Sequence, residues 1–288
     1  MDFEIKDGVF IKYHGIETDI IIPEGVTEIR REAFYESEIK RVVIPDSVTR
    51  IGDQAFFCCE QLETIIIPES VKYIGCAAFT LSLWAEKQLE QNPLLIINHI
   101  LVDSFWETEH YVIPDDVTDF SLSAIEWYPP LKSITCRGIQ FGEEFYPYDW
   151  DTPSYSEYDM CRSINTDIID NILGMLLHKN LNPGKYQKNY YCSVLRKMLD
   201  AWPESEIYPA IRKYIRVVMV VLMNENQTAL LQRILDSGQL DMTDMIDEYI
   251  LHANQRKKYE IQVLLMNYKH QHIGYQSQEE IIRKKFEL

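Results

Sequence analysis

The chain has 288 residues, 46% of them hydrophobic and 12% aromatic, so it is long enough for two cores and too apolar to remain disordered. Its net charge of −17 is concentrated in the first half: residues 1–150 carry 11 basic and 27 acidic side chains, while residues 151–288 carry 17 and 18. An acidic face repels phosphate backbones, which argues against nucleic acid as a partner of the first half.

The amino-terminal stretch Met-Asp-Phe-Glu-Ile-Lys-Asp-Gly has neither the basic start nor the apolar run of a signal peptide. A cytoplasmic location is expected; the cell surface is the alternative if the native chain carries a signal absent here. From Asp2 to Tyr13, apolar and polar residues alternate on either side of Asp7-Gly8, which predicts a hairpin that caps the adjoining coil. Beyond it the chain repeats. Ile22-Pro-Glu-Gly-Val-Thr-Glu-Ile29 returns as Ile44–Ile51, Ile67–Ile74 and Ile113–Phe120, with prolines at 23, 45, 68 and 114. The steps are 22, 23 and 46 residues, and the last is twice 23.

One unit shows the logic. Leu62, Ile65 and Ile67 line one side of a strand, and Pro68 ends it because proline has no N–H to give a ladder. Val71 and Ile74 begin a second inward segment, and Ala78-Phe79 fills the turn, as Ala33-Phe34 and Ala55-Phe56 do in earlier units; the fourth has Ala124-Ile125. No such coil buries its own apolar side. Stacked about 4.8 Å apart as parallel strands, the coils join Ile22, Ile44 and Ile67 into one file, which is a solenoid.

The segment Val48-Thr-Arg-Ile51-Gly-Asp-Gln-Ala55-Phe-Phe-Cys58 resembles the BspA-type leucine-rich repeats of bacteria, and the resemblance spans about residues 3–137. It implies a curved right-handed stack used for protein or surface binding, with no catalytic residues to transfer. Two departures stand out. The 46-residue step holds Leu81–Asn92, spaced as a helix, and then the strand-rich Leu94–Val102, expected as a hairpin with His99 inside an apolar strand. In the last coil Leu131–Cys136 keeps the strand spacing, but Arg137 stands where proline is expected, so the stack should end there.

With Ile22, Ile44, Ile67, Ile113 and Cys136 inward, strand alternation turns the preceding residues outward. That file reads Ile21, Val43, Ile66, Val112 and Thr135; two residues earlier a polar file reads Asp19, Arg41, Thr64, His110 and Ser133. An apolar stripe beside a polar one is a candidate docking groove, with Arg41, Thr64 and His110 as its polar contacts. The competing readings are that β-branched residues simply favour strands, or that the chain's own helices cover the stripe.

From Phe141 to Asp159 six acidic residues alternate with aromatics, as expected of an interdomain connector or an acidic recognition peptide. Helices are predicted from a cap at Asn165 to Leu177, and at about 186–200, 207–223, 226–236, 243–254, 259–270 and 277–286. The longest apolar run, Val217–Met223, is far short of the roughly 20 residues a bilayer needs, so no membrane insertion is expected. The helix pair Met242–Asn254 and Tyr259–Met266 around Arg256-Lys-Lys258 resembles an ankyrin unit, though the T-P-L-H signature is missing; a generic antiparallel bundle is the alternative.

No chemistry-bearing motif emerges. Lys185 follows Gly184, yet Lys179 and Tyr186 stand where a phosphate loop needs glycine and serine or threonine. His270 and His272 lack further ligands to complete a metal site. The six cysteines show no paired spacing and are expected to be reduced thiols. The reading is an α+β chain in two parts: a right-handed leucine-rich-repeat β-solenoid over 1–140, an acidic aromatic linker over 141–160, and an all-α domain over 161–288. Its expected role is non-catalytic protein binding without cofactor or metal, with oligomeric state and partner left open. The alternatives are a bacterial surface adhesin and an enzyme of unfamiliar site.

Overall fold

The structure is a computed structural model that describes residues 2–126, 131–142, 145, 155–182 and 187–273. The helix predicted at 277–286 and most of the acidic aromatic stretch lie outside the described residues. The chain divides into two compact units, one of Met1–Asn180 with Gly184–Tyr190, the other of Leu181–Pro183 with Tyr191–Leu288.

The first unit is the expected β-solenoid. Strands β1 (Phe3–Lys6) and β2 (Val9–Tyr13) form the leading hairpin around Asp7-Gly8, both at positive φ. β3 (Asp19–Ile21), β5 (Arg41–Val43) and β7 (Thr64–Ile66) stack in parallel as one sheet, in the register Ile20, Val42, Ile65. β4 (Glu28–Ile29), β6 (Arg50–Ile51) and β8 (Tyr73–Ile74) stack as a second sheet, with β2 on its outer side pairing Phe10 to Ile29. Of the inward residues named by the repeat, Ile22, Ile29, Ile44, Val48, Ile51 and Val71 are buried, as is Ile20 of β3, while Ile67 is half-buried and packs against this core.

Between the sheets runs the Ala-Phe turn. Here the backbone passes hydrogen bonds from coil to coil: the N–H groups of Glu32, Phe34 and Glu36 donate to the carbonyls of Asp53, Ala55 and Phe57 at 2.7–3.0 Å. Those of Gln54, Phe56 and Cys58 donate in the same way to Cys76, Ala78 and Thr80. The phenyl rings stack at the same step, Phe34 on Phe56 at 4.9 Å and Phe56 on Phe79 at 5.3 Å, with their planes nearly parallel. Gly52 and Gly75 permit the approach, since a Cβ on either would lie 2.5 Å or less from the backbone nitrogen of the preceding coil.

The double step is where the stack restarts. Helix α1 (Leu83–Leu89) is capped by Ser82, whose hydroxyl accepts from the Ala85 N–H at 3.2 Å. A second hairpin then repeats the leading one: β9 (Leu94–Ile97) and β10 (Ile100–Ser104) turn through Asn98-His99, both at positive φ. β10 pairs in parallel with β12 (Asp119–Phe120), as β2 does with β4. His99 is thus a turn residue with an exposed side chain beside Asp116, and not the strand residue expected from its apolar neighbours. β11 (His110–Val112) and β13 (Ser133–Cys136) continue the first-sheet pattern, and β14 (Ile139–Phe141) folds back on β13 through Arg137-Gly138, ending the stack where the proline is lost.

Helix α2 (Tyr155–His178) closes the first unit. It begins ten residues before the predicted cap, so Asn165 is buried inside it instead of standing at its start. Its Asp170 carboxylate accepts the Ser123 N–H at 3.0 and 3.1 Å. Ser123 is the counterpart of Gln54, so a side chain supplies the acceptor that a further coil would otherwise provide. His178 lies 3.0 Å from Asp119 and stacks on Phe120, and Arg162 pairs with Glu126.

The second unit is helical: α3 (Gln187–Ala201) leads into it, and α4 (Glu204–Lys213), α5 (Ile215–Asn224), α6 (Thr228–Asp236), α7 (Ile246–Gln255) and α8 (Tyr259–His272) complete it. The single helix predicted over 207–223 is two, parted at Tyr214 (φ −110°, ψ 20°). The apolar residues keep one phase across that break, so spacing alone cannot reveal it. The α5–α6 and α7–α8 turns are alike. Asn226 and Lys257 both take positive φ, and the next N–H, of Gln227 or Lys258, returns to Leu222 or Ala253 at 2.9 and 2.8 Å. No helix among the described residues is long and apolar enough to cross a membrane.

Candidate interaction surfaces

The predicted outward file is exposed where the first sheet is regular. Ile21, Val43 and Ile66 pair directly in register and are 65%, 36% and 57% exposed, although all are aliphatic. Two residues earlier, Asp19, Arg41 and Thr64 stand exposed on the same face. Arg41 forms an ion pair with Asp19 and holds its carboxyl below the usual carboxylate range. The polar file is therefore knit across the strands, and Arg41 is not an unpaired cation.

The file is not continuous. β7 is the edge of its sheet, and β11 belongs to another, so Val112, 69% exposed, does not extend the row from Ile66. The restarting coil supplies β10 to a separate sheet with β9 and β12 and no strand to the first sheet. Thr135 keeps its register with Val112 but is only half-exposed, and Ser133 is buried and not free as the outward file expects. β14 pairs along β13, and the Gln140 amide and the His110 ring both reach the Ser133 hydroxyl, at 3.0 and 2.8 Å.

A second surface has no counterpart among the sequence expectations. On the turn side of the restart lies a cavity of about 630 Å³ whose walls include Ala77 and Leu81 of the third coil, Asp103 in β10, Trp106 just after it, and Glu126 with its partner Arg162. Asp103 accepts from the Thr80 hydroxyl and from its neighbour's N–H, both at 2.8 Å, and burial pushes its carboxyl above the usual range. The indole of Trp106 is 56% exposed. The sequence signal for this cavity is indirect: a double-length step that carries only one Ala-Phe pair.

The described residues contain no group of three His, Cys, Asp or Glu side chains able to hold a metal ion. Burial pushes the Cys59 and Cys136 thiols to about 12 and that of Cys192 to about 11, which leaves them unreactive. The five cysteines with described side chains are free thiols.

Residues 4–132 match the BspA type leucine rich repeat region, in six copies. Repeats of this kind generally mediate protein–protein interaction. The repeats are similar to two crystal structures. One is a leucine-rich-repeat protein of T. pallidum, at 21% identity and a TM-score of 0.33, covering 46% of this chain and 67% of that one. The other is a leucine-rich-repeat protein of Eubacterium ventriosum, at 25% identity and a TM-score of 0.24, covering 42% of this chain and 30% of that one. No curated protein matches the chain.

Proposed function

We propose that the protein is a non-catalytic interaction scaffold that docks a protein partner on the first-sheet row of Ile21, Val43 and Ile66. The observation that carries this reading is the exposure of three aliphatic side chains in direct register. Each would gain about 1–2 kcal/mol from burial under a partner. The Asp19–Arg41 pair and Thr64 form the polar rim, which gives specificity more than affinity.

The helical unit serves as a second binding face in an ankyrin-like arrangement. Support comes from the repeated turn at positions 226 and 257, a separation of 31 residues and close to the ankyrin period of about 33. Partners are proteins and not nucleic acids, consistent with the acidic first half, and the setting is cytoplasmic.

The test is affinity capture from native lysate with the whole chain and with a double variant, Val43→Glu and Ile66→Glu, each shown by circular dichroism to be folded. Proteins retained by the native chain should be lost from the variant. An unchanged captured set would remove the binding site from this row.

A further inference from the structure

The turn ladder has a gap. In the second coil the N–H groups of Gln54, Phe56 and Cys58 each reach a carbonyl of the next turn. Their counterparts in the third coil are Ala77, Phe79 and Leu81, and among the described residues no acceptor receives any of these three N–H groups. The cause is the restart: the chain leaves β10 for β11 without making an Ala-Phe turn, so no carbonyls arrive. Ala77 and Leu81 instead border the 630 Å³ cavity. Both hold positive φ, 52° and 59°, as Gln54 and Cys58 do at 54° and 54°, so the donors keep the geometry that elsewhere engages a neighbouring strand.

The charge around the opening is mostly negative. Asp103 and Glu126 line it, and at its margin Asp53 accepts the Cys76 N–H at 3.1 Å. Against these acids stands Arg162, already paired with Glu126. The exposed Trp106 ring adds a flat apolar surface able to hold an alkyl stem or the face of a cation.

We propose that this cavity receives an extended peptide segment carrying a lysine or arginine, whose backbone carbonyls accept the Ala77 and Leu81 N–H groups while its cation meets Asp103 beside Trp106. The bound segment stands in for the turn that the restarting coil omits, a form of strand addition in which backbone bonds give affinity and one pocket gives selectivity. This site is separate from the exposed row of the first sheet.

The test is fluorescence anisotropy of labelled Val-Arg-Val-Arg-Val and Val-Glu-Val-Glu-Val peptides with the whole chain. The basic peptide should bind at least tenfold more tightly, and replacing its central amides by esters, which weakens the carbonyl acceptors, should cost threefold or more. Asp103→Asn and Trp106→Ala should each weaken binding at least fivefold. Glu24→Gln, an exposed acid outside the cavity, and Ile66→Glu should leave it unchanged. Equal binding of the two peptides, equal loss with Glu24→Gln, or loss with Ile66→Glu in place of Asp103→Asn would overturn the proposal.

Discussion

The two units hold neighbouring elements together in opposite ways. In the solenoid each coil depends on its neighbour for backbone hydrogen bonds, from Glu32, Phe34 and Glu36 to Asp53, Ala55 and Phe57 and onward. In the helical unit the backbone ladders run within each helix, and side chains reach across to neighbours: Tyr268 donates to the Leu240 carbonyl at 3.1 Å, and Lys258 to that of Asn224 at 3.0 Å. Backbone dependence enforces a strict period. Side-chain dependence enforces no such period, and what the α5–α6 and α7–α8 connections share is the turn at Asn226 and Lys257.

The sharpest way to break this contrast is inside the solenoid's ring stack. Phe56→Ala should cost about 3–5 kcal/mol, because the ring is fully buried between Phe34 and Phe79. Hydrogen exchange should then show protection lost through β3–β8 while α5–α8 keep theirs; uniform loss would mean the units do not respond separately. Gly75→Ala comes next, at about 2 kcal/mol or more, since its Cβ would meet the Asp53 nitrogen at 2.4 Å. The equivalent position before the last turn is Ser121, where the preceding coil has no turn and the hydroxyl reaches the Ile74 carbonyl at 2.7 Å. Ser121→Gly should therefore cost only about 1 kcal/mol in urea titration, the worth of that bond.

In the helical unit, Lys258→Met removes one bond to the Asn224 carbonyl and should cost about 1 kcal/mol in thermal unfolding, without the spread expected along the ladder. The smallest effect is a matter of pH. Burial raises the Asp170 carboxyl to about 7 despite the Ser123 N–H, so the folded chain holds a proton there that the unfolded chain, near 4, has released. This group's contribution to stability falls as pH rises from about 4 to 7. Asp170→Asn should flatten that slope in denaturation curves across the window, and an unaltered slope would place Asp170 in water.

Legibility in the sequence divides along the same line. The proline, the inward isoleucines and the Ala-Phe pair each answer a demand that recurs in every coil, so a single period exposes them. The end of the stack at Arg137 is readable because one demand goes unmet. The broken row between Ile66 and Val112 is not, since the residues of the double step add to the chain while the coil they build omits a strand and a turn. Asp170 meeting Ser123 joins positions 47 residues apart with no pattern to announce it. Tyr214 parts two helices whose apolar phase runs on unbroken, leaving periodicity blind to the break.

The second hairpin has a consequence for how the chain is made. A coil can settle only against a partner that is already in place, and β1–β2 provides that for the first three coils as they leave the ribosome. β9–β10 offers a fresh template in mid-chain, so the later coils can order themselves even when the earlier ones lag. The helix carrying Asp170 emerges afterwards and seals the last open turn, which makes vectorial synthesis from two seeds a property written into the topology.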